Sequence, residues 1–196
     1  MTARTVEIAS AADVEAVASV LTLAFGADPA SRWSWPEPQR FLESFPRFIK
    51  AFGGAAFTHG SAHRIGNVGA ALWLPPDAHP DEEAMDALMR STIPEDLLED
   101  TDAVIEQMER HHPPEPHWYL PLIGVDPSHQ GKGYGSALLR HGLAVCDRDG
   151  MLAYLDSTNP KNIPLYQHHG FEQLGTIQVG SSPPIYPMLR RPKGRC

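Results

Sequence analysis

Apolar positions recur at helical spacing twice in the first fifty residues. Val14, Val17, Val20, Leu21 and Ala24 share one face of a helix over 11–25, with Ser10 as its N-cap. Asp28-Pro29 stops that helix, and Trp33, Trp35 and Pro36 mark a loop. Phe41, Leu42, Phe45, Phe48, Ile49 and Phe52 then predict a helix over 37–52, ended by Gly53-Gly54. Alternating or β-rich runs predict strands over 5–8, 55–59 and 68–74. The last two join through a turn near Gly66-Asn67, and Pro75-Pro76 closes the second. Helical pieces follow over 82–89 and 95–108, the second with a solvated acidic face, before the breaker His111-His112-Pro113-Pro114.

The second half alternates more regularly. It predicts a strand over 117–125, a helix over 133–146 with Leu138, Leu139, Leu143 and Cys146 as its core stripe, and a strand over 151–155. A short helix over 162–168 and strand-like runs over 171–175 and 187–189 follow. Strands alternating with helices predict an α/β or α+β sheet with helices on its faces. No internal repeat or low-complexity tract interrupts the chain.

Composition narrows the function. With 42% apolar and 20% charged residues, the chain is neither disordered nor a rod, and its 196 residues fit one domain. Lys and Arg number 16 against 24 Asp and Glu, a net charge of −8, which argues against non-specific nucleic-acid binding and agrees with a cationic small substrate. Cys146 and Cys196 make no disulfide framework, so a reducing, cytoplasmic location is expected. Residues 1–25 carry no signal-peptide pattern, and no apolar run approaches the ~20 residues of a membrane helix. The close histidine pairs lack a third ligand at metal-site spacing, so no metal is expected.

The chemistry concentrates between the strand at 117–125 and the helix at 133–146. There Gln130-Gly131-Lys132-Gly133-Tyr134-Gly135-Ser136 places three glycines at every second position. Glycines let the backbone turn tightly and leave its N–H groups unshielded, and at a helix N-terminus such groups cradle an anion. Gln130 can add an amide and Lys132 a positive charge, so the expected ligand is a phosphate or pyrophosphate. A nucleotide P-loop would need a hydroxyl residue after Lys132, where Gly133 stands. A dinucleotide fingerprint is approximated by Gly131, Gly133 and Ser136, with Asp156 about 20 residues on, but its third glycine is absent. A glycine loop serving only its own turn is the plain structural alternative. A further pattern, Gln/Arg-x-x-Gly-x-Gly/Ala, is met by Gln130, Gly133 and Gly135.

That last pattern resembles the acetyl-CoA pyrophosphate loop of the GNAT N-acetyltransferase superfamily. A second motif about 30 residues on, Asn159 to Phe171, resembles N-x-x-A-x-x-L-Y-x-x-x-G-F, with Asn162 in place of the usual alanine. Pro116-His117-Trp118-Tyr119-Leu120, Gly124-Val125-Asp126-Pro127 and Asn162-Ile163-Pro164-Leu165-Tyr166 are closest in look to puromycin N-acetyltransferase and its relatives. The resemblance is strong over 113–189 and fainter before it.

The resemblance implies one GNAT-like domain over 1–196. Its central sheet would be mixed and mostly antiparallel, with a splayed strand pair and helices on both faces. Residues 1–112 would form the acceptor-side half and 113–196 the acetyl-CoA-binding half. Backbone groups near Leu122, Ile123 and Val125 would pair with the pantetheine arm, an N–H near Leu122 or Ile123 serving the oxyanion. Gln130, Gly131, Lys132, Gly133, Tyr134, Gly135 and Ser136 would hold the pyrophosphate, with Asn159 and Asn162 nearby. Tyr166 matches the family's general acid, and Asp156 is the first candidate for the base, with Tyr119, His117 and Glu115 as alternatives. Asp28 is expected to hold a substrate ammonium, and Trp33 and Tyr119 to wall the acceptor pocket.

The implied activity is transfer of acetyl from acetyl-CoA to a primary amine of a small molecule by direct attack, by a monomer or homodimer with no nucleic-acid or membrane partner. The alternatives are a protein or peptide N-acetyltransferase and a non-catalytic acyl-CoA-binding regulatory protein.

Overall fold

The structure is a computed structural model and describes residues 5–194; Cys196 therefore lies outside the described residues. Seven strands form one sheet: β1 (Glu7–Ile8), β2 (Ala62–Ile65), β3 (Gly69–Leu74), β4 (His117–Val125), β5 (Leu152–Ser157), β6 (Glu172–Gln173) and β7 (Tyr186–Arg190). Their order is β1-β2-β3-β4-β5-β7-β6, and every pairing is antiparallel except β4 with β5. Eight α-helices accompany them among the described residues: α1 (Val14–Phe25), α2 (Pro29–Ser34), α3 (Pro38–Gly53), α4 (Ala55–Thr58), α5 (Glu82–Thr92), α6 (Leu98–His111), α7 (Tyr134–Asp149) and α8 (Ile163–His168). The expected architecture, a mixed and mostly antiparallel sheet flanked by helices, is the one found.

Strand β3 explains why the sheet is covered on both faces. All six of its residues are buried. Ala70, Leu72 and Leu74 point into the core built with α1 and α3, whereas Ala71 and Trp73 point into the core under α7. Period-two geometry makes such a strand a continuous apolar run. The helices approach closely where side chains are missing. A Cβ on Gly124 would stand 2.6 Å from Ala24 Cβ of α1, and one on Gly142 of α7 would strike the Trp73 indole at 2.2 Å.

Two local expectations are corrected. Residues 55–59 were expected as a strand, but Ala55–Thr58 is a helical turn and the strand begins at Ala62. A short apolar run cannot distinguish strand from helix by periodicity, and β2 hides its strand character behind His63 and Arg64. The loop around Trp33 is instead the short helix α2. Asp28 caps it by accepting from Ser31 N at 3.0 Å, and Pro29 occupies its first turn, so the dipeptide that stops α1 also starts α2. No helix among the described residues is long and apolar enough to cross a membrane.

Candidate active site

The site originates in the one parallel pairing among the described residues. Strands β4 and β5 pair only through His117↔Leu152, Trp118↔Ala153 and Tyr119↔Tyr154. The register of β4 against β3 shifts between Leu72↔Leu122 and Leu74↔Tyr119, so β4 carries an extra residue at Leu120-Pro121. Proline cannot donate to a ladder, which suits it to this irregular stretch. Beyond the bulge β4 leaves β5, and a wedge opens between them.

That wedge is part of a cavity of about 870 Å³. Leu120 to Ile123 line one side, and Leu155 to Thr158 line the other. Asn162 and Tyr166 contribute from the α8 side, and α3, α5 and α6 add apolar and acidic groups.

Asp156 carries the sharpest electrostatic signal. Tyr154 Oη donates to its Oδ1 at 2.8 Å, whereas its buried Oδ2 has no hydrogen-bond partner among the described residues. Burial pushes the carboxyl up to about 7, against the opposing pull of the Tyr154 hydrogen bond, the His111 charge and the Tyr119 hydroxyl. The Tyr119 phenol, raised by burial and by the Asp156 charge, adds a second hydroxyl beside it. A buried carboxyl titrating near neutrality can accept a proton from an ammonium group and later release it.

Tyr166 faces the same cavity from α8. Its ring packs edge-on against Phe171 at 6.0 Å, and its hydroxyl makes no hydrogen bond among the described residues. Burial, then the nearby charge of Asp28, raises its pKa, so the group stays a phenol and can donate a proton.

The glycine loop lies outside this cavity, beyond the end of β4. Gly131 and Gly133 adopt φ of +72° and +81°, and Gly133 is the N-cap of α7 without a side chain to satisfy the helix end. The first N–H groups of a helix lack intrahelical acceptors, so this end is open to an anion. The loop is braced from within. Gln130 Nε2 donates to Val125 O at 3.2 Å, Lys132 Nζ donates to Ser128 O at 2.9 Å, and Asp126 Oδ1 accepts from Ser128 N at 2.7 Å.

A family model described as the acetyltransferase (GNAT) family matches residues 73–171, half of the chain, from the middle of the sheet through both sequence motifs. The chain belongs to the GNAT acetyltransferase family. Among GNAT relatives, it is 27% identical to an uncharacterized N-acetyltransferase of Schizosaccharomyces pombe, over 98% of this chain and 84% of that protein. A crystal structure described as histone acetyltransferase HPA2 and related acetyltransferase from Corynebacterium glutamicum shares 27% identity over 97% of both chains, with a TM-score of 0.66. Arylalkylamine N-acetyltransferase 2 from Aedes aegypti, 14% identical over 95% of this chain and 98% of that one, superposes with a TM-score of 0.65 and shows likeness of fold alone.

Within this GNAT fold, Asp156, Tyr166, Tyr119, Trp33, Leu122, Ile123 and Asn162 all line the one cavity. Trp33 reaches it from α2, with its indole donating to Ser181 Oγ at 3.0 Å. Val125 packs against the start of α7, where its Cγ2 would stand 3.8 Å from a Cβ on Gly135. Asn159 caps the turn before α8, and its side chain accepts from Lys161 N at 3.1 Å. Ser136 Oγ is engaged by His169 Nε2 at 2.8 Å and by Arg140 at 3.0 Å. Asp28 does not line the cavity: Oδ1 accepts from Ser31 N and Oδ2 from Thr158 Oγ1. Thr158, Tyr154, Met85 and Met89 were not singled out by sequence, and His112 was named there only in a breaker and a histidine pair. Thr158 and Tyr154 flank Asp156 on β5 and its loop, so alternation about Asp156 was the available signal; the helical residues carried none.

Proposed function

We propose that this GNAT protein transfers acetyl from acetyl-CoA to the primary amine of a small molecule by direct attack. Residues 113–196 are the acyl-donor half and residues 1–112 the acceptor half. The observation that carries the reading is that Asp156 and Tyr166, a carboxyl raised to about 7 and a hydroxyl free of other partners, line one cavity between strands that part.

The chain's groups divide the work. The open end of α7, with Gln130 to Ser136, binds the diphosphate, and Asn159 and Asn162 flank the donor. The free edge of β4 around Leu122, Ile123 and Val125 aligns the pantetheine arm, and an N–H there steadies the developing oxyanion. Asp156 removes the proton that makes the amine an ammonium. The amine nitrogen attacks the thioester carbonyl, the C–N bond forms, and the C–S bond breaks. Tyr166 donates its proton to the departing thiolate and regains one from the nitrogen of the new amide, so that the one net proton leaves through Asp156 to solvent. Trp33 and Tyr119 wall the acceptor.

The likeness to puromycin N-acetyltransferase-type motifs supports a small acceptor, as does a cavity of about 870 Å³, within the usual size of small-molecule sites. A cytoplasmic location fits the free, buried Cys146 thiol. The protein acts as a monomer or homodimer.

The test is calorimetric titration with acetyl-CoA followed by thiol release over a panel of small amines, an N-terminal peptide and a lysine peptide. Tight donor binding with turnover of small amines is expected. Turnover confined to peptides would favour a peptide acetyltransferase, and tight binding without turnover a regulatory acyl-CoA-binding protein.

A further inference from the structure

The acceptor region of the cavity is built from two contrasting materials. Phe25 of α1, Trp33 of α2, Phe45 and Phe48 of α3, and Met85 and Met89 of α5 give it a broad apolar wall. Three of those aromatic rings belong to one packed group: Phe45 lies 5.2 Å from Phe25 and 5.7 Å from Phe48, centroid to centroid. Such a wall takes an apolar body and leaves a hydrophilic one without hydrogen-bond partners.

The charged groups are of one sign. Asp156, Glu82, Asp86, Asp102, Glu106 and Glu109 line the cavity, and no lysine or arginine does so among the described residues. Its other basic groups are the imidazoles of His79, His112 and His117. Arg90 pairs with Asp86 and Asp102, and Arg110 with Glu106. Glu82 and Glu109 have no ion-pair partner among the described residues, and the inner Asp156 Oδ2 has no hydrogen-bond partner. A ligand carboxylate in this space would meet like charges and no guanidinium or ammonium to receive it, whereas one ammonium would find an unpartnered acceptor at Asp156 Oδ2.

We infer that the acceptor is a primary amine on an apolar, ring-sized body that carries no carboxylate, so that the site selects a decarboxylated amine against its parent amino acid. This rests on the amine-acetylating reading above and adds to it the chemistry that the acceptor must lack. Recognition has two parts: Asp156 takes the ammonium, and the Phe25–Phe45–Phe48 wall takes the body. Glu82 and Glu109 draw cations to the mouth and turn anions away.

The experiment compares 2-phenylethylamine, L-phenylalaninamide, L-phenylalanine and glucosamine on the full chain. kcat/KM for acetyl transfer is measured, and binding to the CoA-loaded protein is measured separately by calorimetry. 2-Phenylethylamine is expected to exceed phenylalanine by about 100-fold, a gap equivalent to ~2.7 kcal/mol, with the uncharged amide close to the amine. Glu82→Gln with Glu109→Gln should narrow that gap about tenfold, a change of ~1.4 kcal/mol in selectivity. Phenylalanine accepted or bound within tenfold of 2-phenylethylamine overturns the inference, as does a preference for glucosamine. A gap that the double variant leaves intact removes the role given to the mouth. Selective binding of 2-phenylethylamine without transfer would count against acetyl transfer while sustaining the selectivity, so the two readings fail separately.

Discussion

Thr158 Oγ1 donates to Asp28 Oδ2 at 2.7 Å, joining the cap of α2 to the loop that follows β5. The two residues are 130 positions apart and belong to opposite halves of the chain. Asp28 is 6% exposed, and burial raises its carboxyl above the ordinary range while the Thr158 and Ser31 hydrogen bonds pull it back. Thr158→Val removes one of those donors from a buried acceptor. It should destabilise the fold by about 1–3 kcal/mol in urea denaturation at pH 7, and Thr158→Ser should recover most of the loss.

Tyr166→Phe deletes a cavity-facing hydroxyl without changing the ring contact to Phe171. Turnover should fall by roughly 100-fold, with calorimetric affinity for acetyl-CoA within about threefold of wild type, as the proposed role of proton donor to the thiolate requires. A fully active variant would remove Tyr166 as the acid.

Gly133 holds φ +81° at the N-cap of α7, a conformation that a β-branched side chain resists. Gly133→Val should therefore distort the cradle and weaken acetyl-CoA binding by tenfold or more. Gly135→Ala should be far milder, because a Cβ there makes only ordinary contacts, with Leu165 Cδ2 at 3.5 Å and Val125 Cγ2 at 3.8 Å. Equal affinities in the two variants would place the diphosphate elsewhere.

Burial pushes the Asp156 carboxyl up to about 7 in the folded protein, against an ordinary 3.8. As a base it works only when ionised, so kcat/KM should rise with pH through about 7. Asp156→Asn should abolish that limb and lower the plateau by about 100-fold. The linkage to stability has the opposite sense. The folded state holds more protons between about 4 and 7, so this carboxyl makes the fold less stable as pH rises through that window. The Asn variant should lack that loss, as read by melting temperature against pH.

His63 acts in the reverse direction. Burial first, and then the His141 charge, lowers its pKa from 6.5 to about 4, and it stands edge-on to His141 at 4.5 Å. The unfolded chain binds more protons between those values, so the stability held by neutral His63 is full above pH 6.5 and is lost as pH falls toward 4. His112, also lowered to about 4, adds to the same trend. His63→Gln should flatten the melting temperature between pH 6.5 and 4 and leave the pH dependence of kcat/KM near 7 unchanged.

The amino-acid sequence by itself determined the elements whose signals are local. The helix over Phe41 to Phe52 follows from apolar spacing. The turn before α7 follows from Gly131 and Gly133, and Tyr166 was found because its neighbours form a linear motif. The tyrosine and the glycine loop were therefore legible as motifs. Chain folding decided what those pieces mean together. The parting of β4 from β5 depends on a register shift against β3, and pairing register is a relation between distant segments. The same holds for Asp28, whose side chain looked free for an ammonium until Thr158 arrived from the other half of the chain. It holds also for Asp156, whose raised pKa comes from burial among residues of other strands and helices. Turn and helix preferences act over a few residues, whereas burial and electrostatic environment are set by whichever remote side chains the sheet brings near.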